Sequence, residues 1–359
     1  MQTNAKSDQK LWQELKQIVD RELSRRGESH FANISVLAKV VTILILIVGC
    51  YLAIWRLPPS GFWLSLWGIL GIASFFLIVN CAHDASHGRL TRFSAFNSAL
   101  LLISFGLLGI DGQLWSLRHL SAHHPHTNIV DQDPDSVANP FLRLSPHHPW
   151  HQWFRFQHLY APLLYALAFL HTAFFQDFEH LISKPLPYLQ RIRSQRAAAL
   201  RMASVKIGYL SVFVLGPWLL TDIPLVWLVA GLLTQQVAAS LVFVFTICLN
   251  HYVMETTFYP KNAINIEGHH LRHQLLASAD WYPTSRFWCA LMGGANAHTA
   301  HHLFPGLSHR HYHWVSQIIR EFCVQHALPY NSFSFAEGLS SHFCFLRTLG
   351  RSNHSEMKS

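Results

Sequence analysis

The chain predicts an all-α integral membrane protein. Four transmembrane helices form two hairpins, with interfacial helices and a cytoplasmic helical cap rich in histidine. Three observations predict it. Half of the 359 residues are hydrophobic and 13% are charged, against roughly a quarter charged in an ordinary soluble domain. Several apolar runs approach or exceed the ~18–20 residues that span a bilayer. Twenty-six residues are His, more than the 19 Asp and Glu together. A soluble enzyme and a disordered chain are excluded. Nucleic-acid binding is excluded too, because the net charge of +8 is carried by too few charges to form a solvated basic patch. The six Cys lack CxxC or CxxxC spacing, so neither a disulfide framework nor a Cys-ligated zinc site is indicated.

The elements follow in order. Leu11, Trp12, Leu15, Ile18, Val19 and Leu23 recur at helical spacing in the polar segment 1–35. They predict an amphipathic helix on the membrane surface or on the domain. Met1 to Lys10 lacks an apolar core and does not read as a cleaved signal peptide. The first span is Val36 to Trp55, and the second is Phe62 to Ala82 after the break Arg56–Gly61. At ~1.5 Å per residue the second covers about 30 Å, the hydrocarbon thickness. Ala95 to Leu108 and Tyr160 to Phe175 are short for crossing and read as re-entrant or interfacial. Val205 to Leu220 and Pro224 to Leu249 form the second hairpin, with Asp222 in its turn. Lys184, Arg191, Arg193, Arg196 and Arg201 precede the third span, and Arg89 and Arg92 follow the second. The positive-inside rule then puts both termini and the segment between the hairpins in the cytoplasm. The expected organisation is an N-terminal segment 1–35, a membrane domain 36–350 and a polar tail 351–359.

Three histidine boxes carry the chemistry. His83 and His87 form HxxxH directly after the second span; His119, His123 and His124 form HxxxHH; His298, His301 and His302 form HxxHH. Residues i, i+3 and i+4 share one helical face. His119 and His123 are thus expected on one stripe, with His124 rotated by about 100°. The predicted topology returns all three boxes to one side of the membrane. Imidazole suits Zn, Cu, Fe and Ni, and eight histidines exceed the needs of one tetrahedral ion, which points to two metals. His251, beyond the fourth span, is a candidate ninth ligand or neighbour. Asp84, Asn250 and Asn296 are expected to support the ligands by hydrogen bonds, and Asp131, Asp133 and Asp135 either fix ring tautomers or form a solvated acidic turn. His147, His148 and His151, interrupted by Pro149, read as a surface feature. His309, His311 and His313 read as a solvated turn, His126 as a hydrogen-bonding residue, and His269, His270 and His273 as a polar loop, with His273 a secondary candidate for touching the site. The basic stripe 184–201 reads as a topology signal, or as a dock for an acidic electron donor.

The order HDxxH, HxxxHH and HxxHH-Leu-Phe-Pro resembles the membrane fatty acid desaturase family. Asp131–Asp135, Arg143–Pro146, Gln157–Tyr160 and Gly293–Asn296 are similar to segments of linoleoyl-CoA-desaturase-like bacterial acyl desaturases. The resemblance covers about residues 10–350. It implies an O2-dependent diiron enzyme of the bacterial inner membrane that removes two hydrogens from an acyl chain. The substrate is an acyl-CoA or acyl lipid. By that resemblance His83, His87, His119, His123, His124, His298, His301 and His302 hold two irons, with His251 as a candidate addition and no catalytic residue besides the ligands. His298 stands where many front-end desaturases carry Gln, no His-Pro-Gly-Gly haem motif occurs, and Leu120 replaces a common Asn. Electrons are therefore expected from a separate ferredoxin or cytochrome b5. A lipid hydroxylase, ketolase or epoxidase is the alternative on the same scaffold. A non-catalytic metal transporter is the remote one, with Gln235 and Gln236 as the polar residues of the fourth span.

Overall fold

The computed structural model describes residues 5–182, 192, 194–261 and 269–351. The polar tail (Arg351 excepted) and the basic residues Lys184, Arg191 and Arg193 lie outside them. The described chain is mostly helical. Four helices are long and apolar enough to cross a membrane: Ile34–Arg56, Gly61–Ser86, Gln195–Leu220 and Leu225–His251. The third begins ten residues before the Val205 expected from hydropathy, because Arg196, Arg201 and Lys206 dilute its apolar character. The chain divides into two compact units. A span unit comprises 33–121 and 162–244, and a terminal unit comprises 1–32, 122–161 and 245–359.

In the span unit, helix starts are set by side-chain caps. Asn33 Oδ1 accepts from Val36 N at 3.1 Å and Ser60 Oγ from Trp63 N at 3.2 Å. The Trp63 indole donates to Ile54 O at 3.0 Å, which ties Gly61–Ser86 to the helix before it. That helix widens to a π-type turn at Ile78–Ala82, where His83 N donates to Ile78 O. The run Ala95–Leu108 forms the 13-residue helix Ser94–Gly106, about 20 Å long and too short to cross. The run Tyr160–Phe175 is broken at Ala166–Leu167, between helices that end at Tyr165 and begin at Ala168. Gly71 packs against the fourth candidate span so closely that a Cβ there would stand 2.1 Å from Gln235 O. Gly71→Ala is expected to cost about 1–3 kcal/mol by overpacking, read as a lower melting temperature in detergent.

The terminal unit has its own apolar core. Helix Ala5–Arg25 buries Leu15, Val19 and Leu23 with Leu271, Leu275, Val315 and Ile319, so its apolar stripe is spent on protein. Asp8 accepts from Leu271 N at 3.2 Å. The last carbonyls of helix Phe335–Arg351 lack intrahelical donors. Arg143 supplies Leu349 O at 3.0 Å and Trp150 supplies Gly350 O at 2.8 Å, while Gln157 adds a donor to Leu346 O one turn earlier, at 2.8 Å. The strands among the described residues are two parallel dipeptides, Asp280–Trp281 and Ser332–Phe333.

Two histidine groups differ from the sequence expectation. His148 is buried and bonds Ser136 O at 3.0 Å, whereas His147, which bonds Phe258 O at 3.2 Å, and His151 are surface residues as expected. His309 and His311 are also buried, and His311 bonds Ser29 O at 2.9 Å. In each case a backbone carbonyl distant in sequence supplies the polar partner that makes burial tolerable.

Candidate metal centre

The span unit brings His83, His87 and His119 together. Their ring centroids are 5.1–5.3 Å apart, and ligand-capable nitrogens of the three lie within 4.8 Å of one another. His83 and His87 sit one turn apart after the π-type turn at the end of the second span. His119 is delivered by helix Gly112–Arg118. Trp115, one turn earlier, stacks on it at 4.7 Å and 15°. Burial, and then the neighbouring His83, pushes the His87 imidazole down to about 3, so the ring is neutral, as a ligand must be. Asp84 is buried beside them.

The terminal unit gathers the other six. One ring nitrogen each of His123, His251, His298 and His302 lies within 4.8 Å of the rest, and all four residues are buried. His124 packs 4.5 Å from both His301 and His302. The expected sharing of one stripe by His119 and His123 is thus corrected: the two belong to different clusters. The turn His119–His123 is itself π-type, and its wider winding breaks the i, i+4 superposition.

Hydrogen bonds set the tautomers. His251 Nδ1 donates to Ala277 O at 3.0 Å, which leaves the Nε2 lone pair. That Nε2 is buried and has no hydrogen-bond partner among the described residues. His302 Nδ1 donates to Thr127 Oγ1 at 3.2 Å, whose hydroxyl in turn donates to His123 O at 2.9 Å. His301 Nδ1 donates to Tyr312 Oη at 3.2 Å, and that hydroxyl is spent on Leu307 O. His123 Nδ1 meets Asp133 Oδ1 at 3.1 Å, while Asp133 Oδ2 accepts from Asn128 N at 2.9 Å. These four imidazoles are thus oriented from behind, the arrangement that raises ligand basicity. His302 Nε2 and His298 Nε2 are 3.0 Å apart. Two nitrogens about 2.1 Å from one ion at a right angle stand about 3.0 Å apart, so the donor set fits a metal ion. Burial, and then His124 and His298, hold His302 neutral well below the usual histidine range.

Of the acidic turn, Asp133 is buried and takes the orienting role. Asp131 is half-buried and pairs with Lys261 at 3.3 Å. Asn250 and Asn296 act on backbone: Asn250 Nδ2 donates to Ala295 O at 2.7 Å and Asn296 Nδ2 to Trp281 O at 3.0 Å, pinning the loop before the third box. Asp133→Asn is expected to weaken metal binding about 10–100-fold, read by chelator competition.

Four supports carried no motif. Gln274 Nε2 donates to His124 O at 2.9 Å, and His273 Nε2 bonds Thr127 O at 2.8 Å. Both lie on helix His270–Ala277, where the sequence suggested a loop. Burial pushes His273 down to about 4. Asp280 accepts from Thr299 N at 2.8 Å and Tyr330 Oη at 2.6 Å. It thereby caps the box helix His298–Leu303 from another segment, and burial raises its carboxyl to about 6. No local signal marks these residues, since their partners are 19 to 150 residues away. His126 bonds Ala122 O at 3.1 Å, the hydrogen-bonding role expected of it.

Comparison with known proteins agrees with this chemistry. A family model described as fatty acid desaturase matches residues 61–334. An acyl-lipid (8-3)-desaturase of Physcomitrium patens is 26% identical over 355 residues, 91% of this chain and 71% of the relative. An sn-1 linoleoyl-lipid 6-desaturase of Synechocystis sp. is 26% identical over 352 residues, 94% and 95% of the two chains. A protein of the same description from Arthrospira platensis is 24% identical over 304 residues, 81% and 79%. The match spans all three boxes and His251, and this chain belongs to the fatty acid desaturase family.

Proposed function

We propose that this desaturase introduces a double bond into the acyl chain of a membrane lipid, using O2 and two irons. The observation that carries the reading is the gathering of nine imidazoles into two clusters within a chain of this family. His83, His87 and His119 are the candidate ligands of the span unit; His123, His251, His298 and His302, with His124 and His301, are those of the terminal unit. The relatives, described as acyl-lipid and linoleoyl-lipid desaturases, favour an acyl lipid over an acyl-CoA.

A methylene has no acidic proton and no leaving group, so side-chain acids, bases and nucleophiles cannot open it. The irons, when bound, supply the redox chemistry for that C–H bond. The overall reaction balances as –CH2–CH2– plus O2, two electrons and two protons giving –CH=CH– and two waters. The two electrons come from a separate one-electron donor, a ferredoxin or a cytochrome b5. This chain's residues do the rest. Asp133, Thr127, Tyr312 and the Ala277 carbonyl hold ring protons on Nδ1, so each Nε2 is a donor without prior deprotonation. The burial of His298, His301 and His302 excludes bulk water. Positioning of the acyl chain, rather than intrinsic reactivity, selects the carbons.

The four candidate spans lie in a bilayer as two hairpins, within a membrane domain at 36–350. The boxes and both termini face the cytoplasm of a bacterial inner membrane. The transporter alternative is not favoured: Gln235 and Gln236 donate to Leu107 O and Leu108 O, each at 3.0 Å, and line no pathway. The test is fatty-acid profiling with double-bond location, in cells that express the chain with a ferredoxin system beside a His301→Ala control. A new unsaturated acid confined to the unaltered chain is expected. A hydroxy or keto product would overturn the reading in favour of an oxygenase.

A further inference from the structure

In the span unit, helices Ser94–Gly106 and Gly112–Arg118 are joined by the non-helical turn Leu107–Asp111. Among apolar helices, exposed backbone is tolerated only where protein donors satisfy it. Here the donors come from the two candidate spans Gln195–Leu220 and Leu225–His251. Leu107 O and Leu108 O accept from Gln235 and Gln236, and Gly109 O accepts from Lys206 Nζ at 2.7 Å. Lys206 also pairs with Asp177, whose Oδ2 accepts from Asp111 N at 3.0 Å. Arg201 Nε holds both Asp111 carboxylate oxygens, at 3.1 and 2.9 Å. Asp111 Oδ1 in turn caps Gln113 N and Leu114 N at 3.0 and 3.3 Å. The Tyr209 ring closes over Gly109, whose φ is +70° and where a Cβ would stand 2.7 Å from the ring.

Buried ion pairs are a poor source of stability, since apolar residues of similar volume often do as well. Two pairs on one turn call for another reason, and the next eight residues supply it. Asp111 starts the helix that ends at Arg118, Trp115 on that helix packs on Phe105 at 4.6 Å, and the same indole stacks on His119. About 12 Å of helix links the pairs to a histidine that meets His83 and His87. We propose that Asp111, Asp177, Arg201 and Lys206 form a latch that positions His119 for metal. They are positioning residues and touch neither metal nor substrate. The inference rests on the proposed function, in which His119 is a ligand.

The test uses the full chain in detergent with Fe(II) and Co(II) as probes. For Lys206→Met the latch requires at least about tenfold weaker binding of one of two ions, altered Co(II) d–d bands, and more O2 consumed per double bond. Lys206→Arg should restore all three towards the unaltered chain. Arg201→Gln, at the more exposed end of the network, should move the same bands and covers the case in which Lys206→Met fails to fold. Unchanged Co(II) spectra and O2 coupling in folded Lys206→Met or Arg201→Gln would overturn the latch. If the unaltered chain itself bound no pair of ions, the proposed function would fall first, and the latch with it.

Discussion

His302→Ala is expected to lower desaturation more than about a hundredfold and to release metal. His302 is buried and has the rings of His123, His124, His251 and His298 at 5.0, 4.5, 5.3 and 4.6 Å. Its proton is committed to Thr127 and its Nε2 faces His298 Nε2. Loss of a residue that only orients a ligand typically costs 10–100-fold, so loss of the ligand must cost more. The measurement is iron per chain together with turnover, on protein whose helical circular dichroism matches the unaltered chain. Full turnover with two irons retained would remove His302 from the ligand set.

The second large effect is at His251, and turnover separates two roles. A buried imidazole nitrogen left without a partner costs about 1–3 kcal/mol. His251→Leu would remove that cost but also the donor to Ala277 O, so the metal-free protein should melt near the unaltered chain in either role. If His251 merely packed, activity would stay intact; as a ligand, its loss lowers activity more than about a hundredfold. Turnover of the iron-loaded variant distinguishes the two, with thermal melts of metal-free protein as the check on folding. Retained turnover would reduce the set to eight imidazoles.

In the third box the pairing of His298 with His302 is legible from spacing, because the six-residue helix His298–Leu303 has ordinary winding and brings i and i+4 into one buried cluster. In the second box the grouping is not. Its π-type turn sends His119 to the His83 cluster and His123 to the His251 cluster, and nothing in HxxxHH announces a change of winding. The candidate spans were legible to within a few residues at three of four starts. The remaining start, that of the third span at Gln195, was hidden because Arg201 is paired with Asp111, and hydropathy treats a paired charge as a free one. The polar clusters around His148 and His309 were misread for a related reason: their satisfaction depends on Ser136 and on residues 28–29 at the other end of the chain.

Apolar run length, box spacing and the absence of paired Cys are properties of neighbouring residues. They predicted a helical chain with four candidate membrane spans and candidate metal-binding histidines before any contact was known. Which imidazoles share a cluster, which nitrogen of each carries the proton, and what holds the supporting turns are properties of residues brought together across tens to hundreds of positions. Asp280 beneath Thr299, Thr127 between His302 and Gln274, and Lys206 on Gly109 have no local signature, because a hydrogen bond depends on where its partner stands in space. Burial and tautomer are therefore decided only when the chain is folded.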